Sequence, residues 1–251
     1  MFANKNNCSG MRKLYIKKML LRGTVFLISV IISFAAPEQF DIIYGMNFFK
    51  KFYLFHFLWL FWIINMVLYL IPCRKYLPIG SQKYLKSSFC PAEKYNSEEL
   101  SSFVKESRRG ALKAAASWVA LTFVIGILYF AKVITESVLL LISIAFFVCD
   151  NICVLFWCPF RVLFMKNRCC TTCRIYNWDH VMMFSPLIFI KGFFSASLCV
   201  SSFIIFLVWE ICFAVHPERF WEGSNIALKC LNCTDRLCGK RLPEIENSIT
   251  K

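Results

Sequence analysis

The sequence lacks the short motifs that mark several common enzyme classes. It contains no Gly-rich phosphate loop, no H-E-x-x-H and no G-x-S-x-G. P-loop nucleotide hydrolysis, zincin proteolysis and the common serine hydrolase fold therefore have no support. Internal repeats are also absent, which removes the signature of transporters built from inverted halves. No motif assigns a catalytic residue, so the sequence leaves open whether the protein is an enzyme.

The composition is that of a protein for which water is not the main solvent. Of its 251 residues, 58% are hydrophobic and 17% aromatic, and the mean hydropathy is +0.57, above the apolar share of ordinary soluble domains. A net charge of +14 would favour nucleic-acid binding in a soluble protein, but here the Lys and Arg lie between apolar runs. That pattern is typical of membrane topology signals. We therefore expect a lipid bilayer, and no nucleic acid, as the partner.

Long uncharged runs predict an all-α membrane protein, a polytopic helical bundle of four or five spans. Residues 52–71 contain no charge, and at 1.5 Å per residue they reach the roughly 30 Å of a hydrocarbon core. Residues 114–131 and 138–157 predict an antiparallel hairpin, because the turn between them is short. Residues 192–214 predict the last span.

Two further apolar segments allow more than one interpretation. Residues 23–36 follow a basic stretch and are only about 14 residues long, which fits either a secretory signal or a short uncleaved anchor. Residues 178–190 predict an interfacial or re-entrant piece, because Pro186 lacks an amide donor and breaks the helix.

The division of the chain and its orientation follow from these segments. We expect a basic N-terminal segment with a signal anchor or short span, a helical membrane domain and a cysteine-containing polar tail, at residues 1–45, 46–215 and 216–251. Because Lys and Arg are retained on the cytoplasmic side, the basic loop 73–113 should face the cytoplasm of a multi-pass cell-membrane protein. This loop is also a candidate surface for a protein partner or anionic lipid. If residues 192–214 cross fully, the tail faces outward, away from the loop that follows residue 157.

That loop and the tail are rich in cysteine, and each contains a C-x-x-C unit. Two residues between cysteines let both sulfurs turn toward one point, so such a unit can chelate a metal or close a disulfide. Together the two units predict a thiolate site for zinc or an iron–sulfur cluster. The alternative is that the two units do not share a site, with reduced or metal-bound thiols in the loop and a disulfide in the tail. The predicted metal ligands are Cys169, Cys170, Cys173, Cys230, Cys233 and Cys238.

Charged neighbours and span positions refine this interpretation. Arg168 and Arg174 flank the loop cysteines and should favour thiolate over thiol. Cys153, like the other cysteines inside spans, is expected to pack as a small apolar side chain. Cys158 lies at the end of its span, and its spacing from the other cysteines does not require that it belong to a thiolate site. Glu210 lies near the outer end of the last span, where solvated anchoring is expected.

Polar residues within the predicted spans are a second candidate site. Asp150 and Asn151 lie inside the span 138–157, where an unpaired carboxylate costs several kcal/mol. Lys191, at the start of the last span, is a candidate partner for Asp150. These three residues predict either a proton or ion relay with ligand contacts, or a buried polar clamp between helices.

A distinctive stretch around the loop cysteines consists of Trp157-Cys158-Pro159-Phe160, Asn167-Arg168-Cys169-Cys170 and Cys173-Arg174-Ile175-Tyr176-Asn177-Trp178. It resembles an uncharacterised family of bacterial integral membrane proteins that end in a similar cysteine-bearing tail. The resemblance covers roughly the C-terminal half and leaves the first 45 residues outside. It implies a shared fold and carries no activity.

Three functions are compatible with these patterns. The leading hypothesis is a thiolate metal-binding protein with a structural or redox role. The second is a small transporter or channel subunit that uses Asp150, Asn151 and Lys191 along its path. The third is a membrane assembly or scaffold factor that acts through the basic loop 73–113.

Overall fold

The computed structural model describes residues 10–71 and 77–233, and over these residues the fold is all-α. Four of the described helices are long and apolar enough to cross a membrane, which confirms the predicted helical bundle. The α-helices are α1 (Gly10–Ala35), α2 (Phe55–Leu70), α3 (Ile79–Gln82), α4 (Ser97–Phe130), α5 (Glu136–Leu155), α6 (Asp179–Phe184) and α7 (Phe193–Val215). The four long ones are α1, α4, α5 and α7.

The outer surface of the bundle is apolar, the reverse of a soluble protein. Large hydrophobic side chains project outward along α1, α2, α4, α5 and α7. An apolar surface this continuous is stable against lipid and unstable in water. Examples are Leu20, Phe34, Phe57, Phe123, Phe130, Ile152, Val200 and Ile211.

The first two helices differ in length from the predicted segments. α1 begins well before residue 23 and has 26 residues, because the basic stretch continues the helix and packs against α5 beside it. α2 has only 16 residues, about 24 Å at 1.5 Å per residue. Its start is delayed because the Leu54 amide donates to Gln39 Oε1 at 2.9 Å and the Tyr53 amide to His56 Nδ1 at 3.0 Å. The segment 52–71 is therefore shorter as a helix than the predicted span.

The remaining spans lie close to their predicted positions. α5 and α7 match the predicted runs to within two residues. α4 has 34 residues, because the second half of the basic loop continues its helix. Asn96 caps its first turn by accepting from the Glu98 amide at 2.9 Å, and two glutamates in that turn complement the positive end of the helix dipole.

The bundle has two structurally distinct ends. We call the end that carries the α4–α5 turn the hairpin end. There, Gly45 and the residues that precede α7 are joined by backbone hydrogen bonds, Gly45 N to Lys191 O at 2.9 Å and Phe193 N to Gly45 O at 3.0 Å. We call the opposite end, which carries residues 77–96, 156–178 and 216–233, the loop end.

Residues 179–190 carry the chain from the loop end back to the hairpin end. They form α6 and a 3-10 helix over Ser185–Phe189, and Phe184 and Leu187 are fully buried. The broken backbone is satisfied inside the protein, since Ser185 Oγ accepts from Trp118 Nε1 at 3.0 Å and donates to Met182 O at 2.8 Å. The predicted break at Pro186 is present, but the segment is buried among helices rather than interfacial.

This return places the described part of the tail at the loop end. Ala92 N donates to Ser224 O at 2.9 Å, Ile226 N donates to Cys90 O at 2.8 Å, and Lys83 Nζ from the same loop reaches Cys173 O at 2.7 Å. The conditional prediction that a full crossing by residues 192–214 takes the tail away from the cysteine-rich loop does not hold. It treated residues 178–190 as an interfacial or re-entrant piece, whereas residues 179–190 run from one end of the bundle to the other.

Gly192 is a position that only glycine can occupy. A Cβ added there would lie 2.1 Å from the Ile43 carbonyl oxygen, and a backbone atom cannot rotate away. We expect Gly192→Ala to lower the free energy of unfolding by about 2 kcal/mol or more, measured by thermal unfolding in detergent. The control is Gly23→Ala, whose Cβ would meet nothing within 4 Å and should stabilise α1 by roughly 0.5–1 kcal/mol. Equal melting temperatures for the two variants would contradict the close approach at Gly192.

The relative side of the tail can be tested by thiol labelling. In a background with the other cysteines replaced, an impermeant maleimide should label Cys90 and Leu231→Cys from the same side of the membrane, because both positions are exposed at the loop end. Val133→Cys in the hairpin turn, exposed by 68%, should be labelled from the opposite side. Labelling of Cys90 and Leu231→Cys from different sides would disprove the return through residues 179–190.

Candidate functional site

A polar cavity of about 80 Å³ lies inside the bundle toward the loop end. This is room for a few water molecules or a small polar solute. Its walls come from α1, α2, α5, α6 and the loop residues beside them. Lining residues with polar groups are Tyr15, Lys18, Arg22, Trp62, Asn65, Tyr69, Asp150, Asn151, Tyr176, Asp179 and His180.

The strongest contact in the cavity wall is an ion pair between α1 and α5. Arg22 Nη1 lies 2.7 Å from Asp150 Oδ2 and also donates to Phe147 O at 2.8 Å. The guanidinium lies over the Phe147 ring, 3.9 Å from its centroid. Both charged side chains are largely buried, so the pair offsets the cost of holding a carboxylate within the bundle.

Lys191, the predicted partner of Asp150, is not in this site. It is exposed at the hairpin end, where its carbonyl accepts from Gly45. Asp150 lies 14 residues after the start of α5, about 21 Å along the helix from that end. The pairing failed because Arg22 was counted in the basic stretch before residues 23–36 and not within a span. A charge in the middle of a 26-residue helix is the signal that would have pointed to it.

A second pair of titratable side chains comes from α6. His180 Nδ1 lies 3.1 Å from Asp179 Oδ1, and the His180 ring packs edge-on against Tyr69 with centroids 4.9 Å apart. Tyr176 closes this side of the cavity, and its hydroxyl lies 3.0 Å from that of Tyr15. Burial raises the pKa of Tyr176 well above its ordinary value. The phenol therefore stays protonated and can act as a hydrogen-bond donor.

Two polar groups in the wall have no hydrogen-bond partner among the described residues. Asn151 is fully buried, and neither its Nδ2 nor its Oδ1 finds a partner there. The indole Nε1 of Trp62 also has no hydrogen-bond partner there, and Trp62 is 1% exposed. Both residues line the cavity, so its wall contains two unsatisfied donor groups and one unsatisfied acceptor.

Aromatic rings close the cavity toward the hairpin end. Trp62 packs edge to face against Phe184 and Phe147, with centroids 5.0 Å and 5.8 Å apart. All three rings belong to the main hydrophobic core. The cavity is therefore a chamber on the loop-end side of an apolar barrier.

The loop cysteines lie at the loop end, where burial governs their chemistry. Burial raises the pKa of Cys170 to about 12 and that of Cys173 to about 11. The prediction that arginines favour thiolate there is wrong for these two residues. Arg174 is itself buried and bonded to Glu210, which also accepts from Trp178 Nε1 at 2.9 Å. Glu210 is therefore an internal partner rather than a solvated anchor.

The predicted metal ligands do not assemble in the described part of the chain. Across residues 10–71 and 77–233, no three His, Cys, Asp or Glu side chains form a group that could hold a metal ion. Cys169, Cys170, Cys173, Cys230 and Cys233 lie in these ranges, whereas Cys238 lies outside the described residues. A zinc or iron–sulfur site thus stays a prediction, as does a protein partner at the basic loop.

The structure pairs two thiols that the sequence did not. Cys153 interacts with the Cys158 sulfur, which accepts from the Arg161 amide at 3.4 Å. These contacts, led by the one from Cys153, lower the pKa of Cys158 to about 6. The pair was missed because four residues lie between the two cysteines across the end of α5, and no local spacing rule predicts their interaction.

Lys83 is a buried cation beside the loop cysteines. It is 2% exposed, and its Nζ donates to Cys173 O at 2.7 Å and lies 5.6 Å from the centroid of a Trp209 ring. Burial lowers its pKa to about 8. At neutral pH it is still mostly protonated, and it fastens the loop before α4 to the cysteine-rich loop.

Comparisons with known protein families, with curated proteins and with solved structures gave no match. The resemblance to bacterial membrane proteins noted above therefore stays a prediction.

The Arg22–Asp150 pair gives a direct test of this site. Asp150→Leu or Arg22→Leu alone leaves a buried charge unpaired and should cost on the order of 3 kcal/mol of unfolding free energy. The double variant should recover most of that loss, since no charge is left uncompensated. The control is Lys17→Leu, which removes an exposed charge from the same helix and should change stability by less than about 0.5 kcal/mol. Additive losses in the double variant would mean that the two residues act independently.

Proposed function

We propose that this protein is a multi-pass protein of the cell membrane and acts as a small transporter. The cavity is the chamber in which it binds a small polar solute. The bundle's apolar outer surface supports the bilayer as its environment. Basic side chains are concentrated at the loop end, in residues 83–113 and 161–174, which makes that end cytoplasmic. The chamber then belongs to the cytoplasmic half of the membrane.

The observation that carries the proposal is the unpartnered Asn151 amide. A buried polar group without a hydrogen bond costs about 1–3 kcal/mol, and an apolar side chain of similar size would avoid that cost. The same applies to the indole N–H of Trp62, a residue that also lines the cavity. A solute with one hydrogen-bond acceptor region and one donor would satisfy both groups.

The charges of the chamber narrow the class of solute. Two cations, Lys18 and Arg22, face two carboxylates, Asp150 and Asp179. The opposite signs nearly cancel, so the site offers no net field for a polyanion or a multivalent cation. A neutral or zwitterionic solute that hydrogen-bonds to both kinds of group fits this arrangement best.

A transporter fits this geometry better than a channel. The rings of Trp62, Phe147 and Phe184 separate the chamber from the hairpin end, so passage requires a rearrangement. The element next to this barrier is the broken segment 179–190, whose helix changes to 3-10 geometry at Ser185. Broken helices that line a polar cavity are the elements around which solute sites in transporters are built.

Asn151→Leu separates a functional from a structural role of the amide. Because the variant removes an unsatisfied buried polar group, we expect it to raise the free energy of unfolding by about 1–3 kcal/mol. The matched control is Ser143→Ala on the same helix, where the buried hydroxyl already donates to Leu139 O at 3.2 Å, and little change is expected. A clear loss of stability in Asn151→Leu would show that the amide is a clamp between helices and would contradict the proposal.

Access of a polar solute to the chamber can be measured with acrylamide, a small neutral amide that quenches tryptophan fluorescence. The contribution of Trp62 is the difference between the wild type and Trp62→Phe in lipid nanodiscs. Acrylamide added to the water should quench this contribution in the wild type and less in Asn151→Leu, where the chamber wall is apolar. If quenchers attached to lipid chains reach Trp62 and acrylamide does not, the chamber is not a site for polar solutes.

A further inference from the structure

The loop end carries a basic surface that the proposed solute chamber does not use. Two parts of the chain that are far apart in sequence form it, residues 105–113 of α4 and residues 161–168 after α5. Together these ranges contain seven basic side chains and one acidic side chain, and we call them the basic surface. Its exposed basic side chains are Lys105, Arg108, Arg109, Lys113, Lys166 and Arg168.

A close contact between the two parts brings their charges together. Gly110 lies where they meet, since a Cβ added to it would lie 2.8 Å from the Phe164 carbonyl oxygen and 3.0 Å from the Met165 sulfur. Arg109 and Lys113 lie on either side of Gly110 along α4, and Lys166 directly follows Met165. Membrane topology alone requires cations on this side of the bilayer. It does not require that cations from two distant segments lie side by side.

The basic surface lies at the boundary between water and the apolar outer surface. α4 has 34 residues, a rise of about 51 Å, whereas a hydrocarbon core is roughly 30 Å thick. Its uncharged part begins directly after Lys113, so Lys113 lies at the edge of the hydrocarbon and Arg109 about 6 Å farther out. In the other part, the exposed side chains of Val162 and Leu163 precede Lys166. Cations and apolar side chains thus border each other at the depth of the lipid headgroups.

The exposed cations have no carboxylate partner within the described part of the chain. The four ion pairs found among residues 10–71 and 77–233 include none of them. Glu106 is the one acidic residue of the basic surface, and a single carboxylate leaves a large excess of positive charge. Such an excess beside a bilayer attracts anionic lipids, with an effect of about fivefold in affinity for each basic side chain.

We propose that the basic surface binds the headgroup of an anionic phospholipid in the adjacent leaflet. Arg109, Lys113, Lys166 and Arg168 would hold the headgroup, and Leu163 would contact the acyl chains. Arginine suits this role because its guanidinium can donate two parallel hydrogen bonds to a phosphate, while lysine adds a point charge. An acidic protein segment would use the charges but leave the apolar border unused, so a lipid fits the surface better. The bound lipid would bridge α4 and the loop after α5.

The test measures lipid binding to the full-length chain by native mass spectrometry in detergent. The probes are dioleoyl phosphatidylglycerol and dioleoyl phosphatidylcholine, which share their acyl chains and differ in headgroup charge. The wild type should bind the anionic lipid about tenfold or more tightly than the zwitterionic one. Arg109→Gln with Lys113→Gln, and separately Lys166→Gln with Arg168→Gln, should each weaken binding of the anionic lipid by about tenfold or more. Neither double variant should change binding of phosphatidylcholine.

Matched controls remove the same number of exposed cations elsewhere. Lys13→Gln with Lys17→Gln acts at the loop end on α1, which packs against α5. Lys50→Gln with Lys51→Gln acts at the hairpin end. Both controls should bind phosphatidylglycerol with the wild-type affinity. The melting temperature of each variant without added lipid shows that the fold is intact.

Two soluble competitors separate a lipid from other anionic partners. Glycerol phosphate carries a phosphate like that of the headgroup but has no acyl chains, and polyglutamate stands for an acidic protein segment. Neither should displace phosphatidylglycerol when present in large excess, because neither contacts the apolar border. Displacement by polyglutamate would mean that the surface is a site for an acidic protein segment. Displacement by glycerol phosphate would mean that it is a site for a free phosphate compound.

Three further results would overturn the proposal. The first is equal binding of the two lipids by the wild type. The second is a loss in the α1 control as large as in the double variants, which would reflect net charge alone. The third is a loss in only one of the two double variants, since the two parts would then not form one site. The first result is read on the wild-type chain, so it stands even if a variant fails to fold. No residue changed in these tests lines the solute chamber, so the two proposals fail independently.

Discussion

Residues 179–190 cross the bundle in far fewer residues than a straight helix would use. One turn and a half of α-helix and a short 3-10 run rise about 19 Å together, and the extended residues before α7 cover the remaining distance. A break of this kind leaves backbone groups that lipid cannot satisfy. The segment is therefore enclosed by α2, α4, α5 and α7, and Ser185 joins it to α4. The direction of α7, the position of the tail and the space for the chamber all follow from this one short return.

Sequence patterns predicted the parts of the fold that depend on apolar length. The runs at α5 and α7 were found to within two residues, because an uncharged stretch of that length is stable only as a helix in lipid. The same rule gave too few crossings for residues 181–215, since it assumes that every residue rises 1.5 Å along a helix. Extended and 3-10 residues rise further, so a stretch too short for two ideal spans makes two crossings. It also overestimated the helix length in residues 52–71, because the amides of Tyr53 and Leu54 donate to the side chains of His56 and Gln39 and not to a helix backbone.

The candidate sites show a similar division. Asp150 and Asn151 were identified from sequence, because a carboxylate and an amide within a span require partners. Their surroundings were not, since Arg22 is 128 residues away in sequence from Asp150 and Asp179 and His180 reach the chamber only through the return segment. For the cysteines, spacing highlighted the C-x-x-C unit in the loop, whose second cysteine is nearly sealed from solvent. The thiol with the lowered pKa lies instead where the chain reverses after α5, a contact set by tertiary structure.

The chamber and the thiol pair both belong to the last turns of α5, but on different faces. At 100° per residue, Phe147, Asp150, Asn151 and Val154 fall on the side that lines the chamber, while Cys153 is turned away toward Cys158. The hairpin end offers no such room, because Gly45 and Gly192 join their backbones directly there. The loop end also has backbone hydrogen bonds, from Ala92 N to Ser224 O and from Ile226 N to Cys90 O, and side-chain contacts are added to them there. Arg22 with Asp150 and Lys83 with the Cys173 carbonyl are contacts of that second kind. In the proposed function, a solute reaches the chamber from the loop end, because the rings of Trp62, Phe147 and Phe184 close the chamber toward the hairpin end.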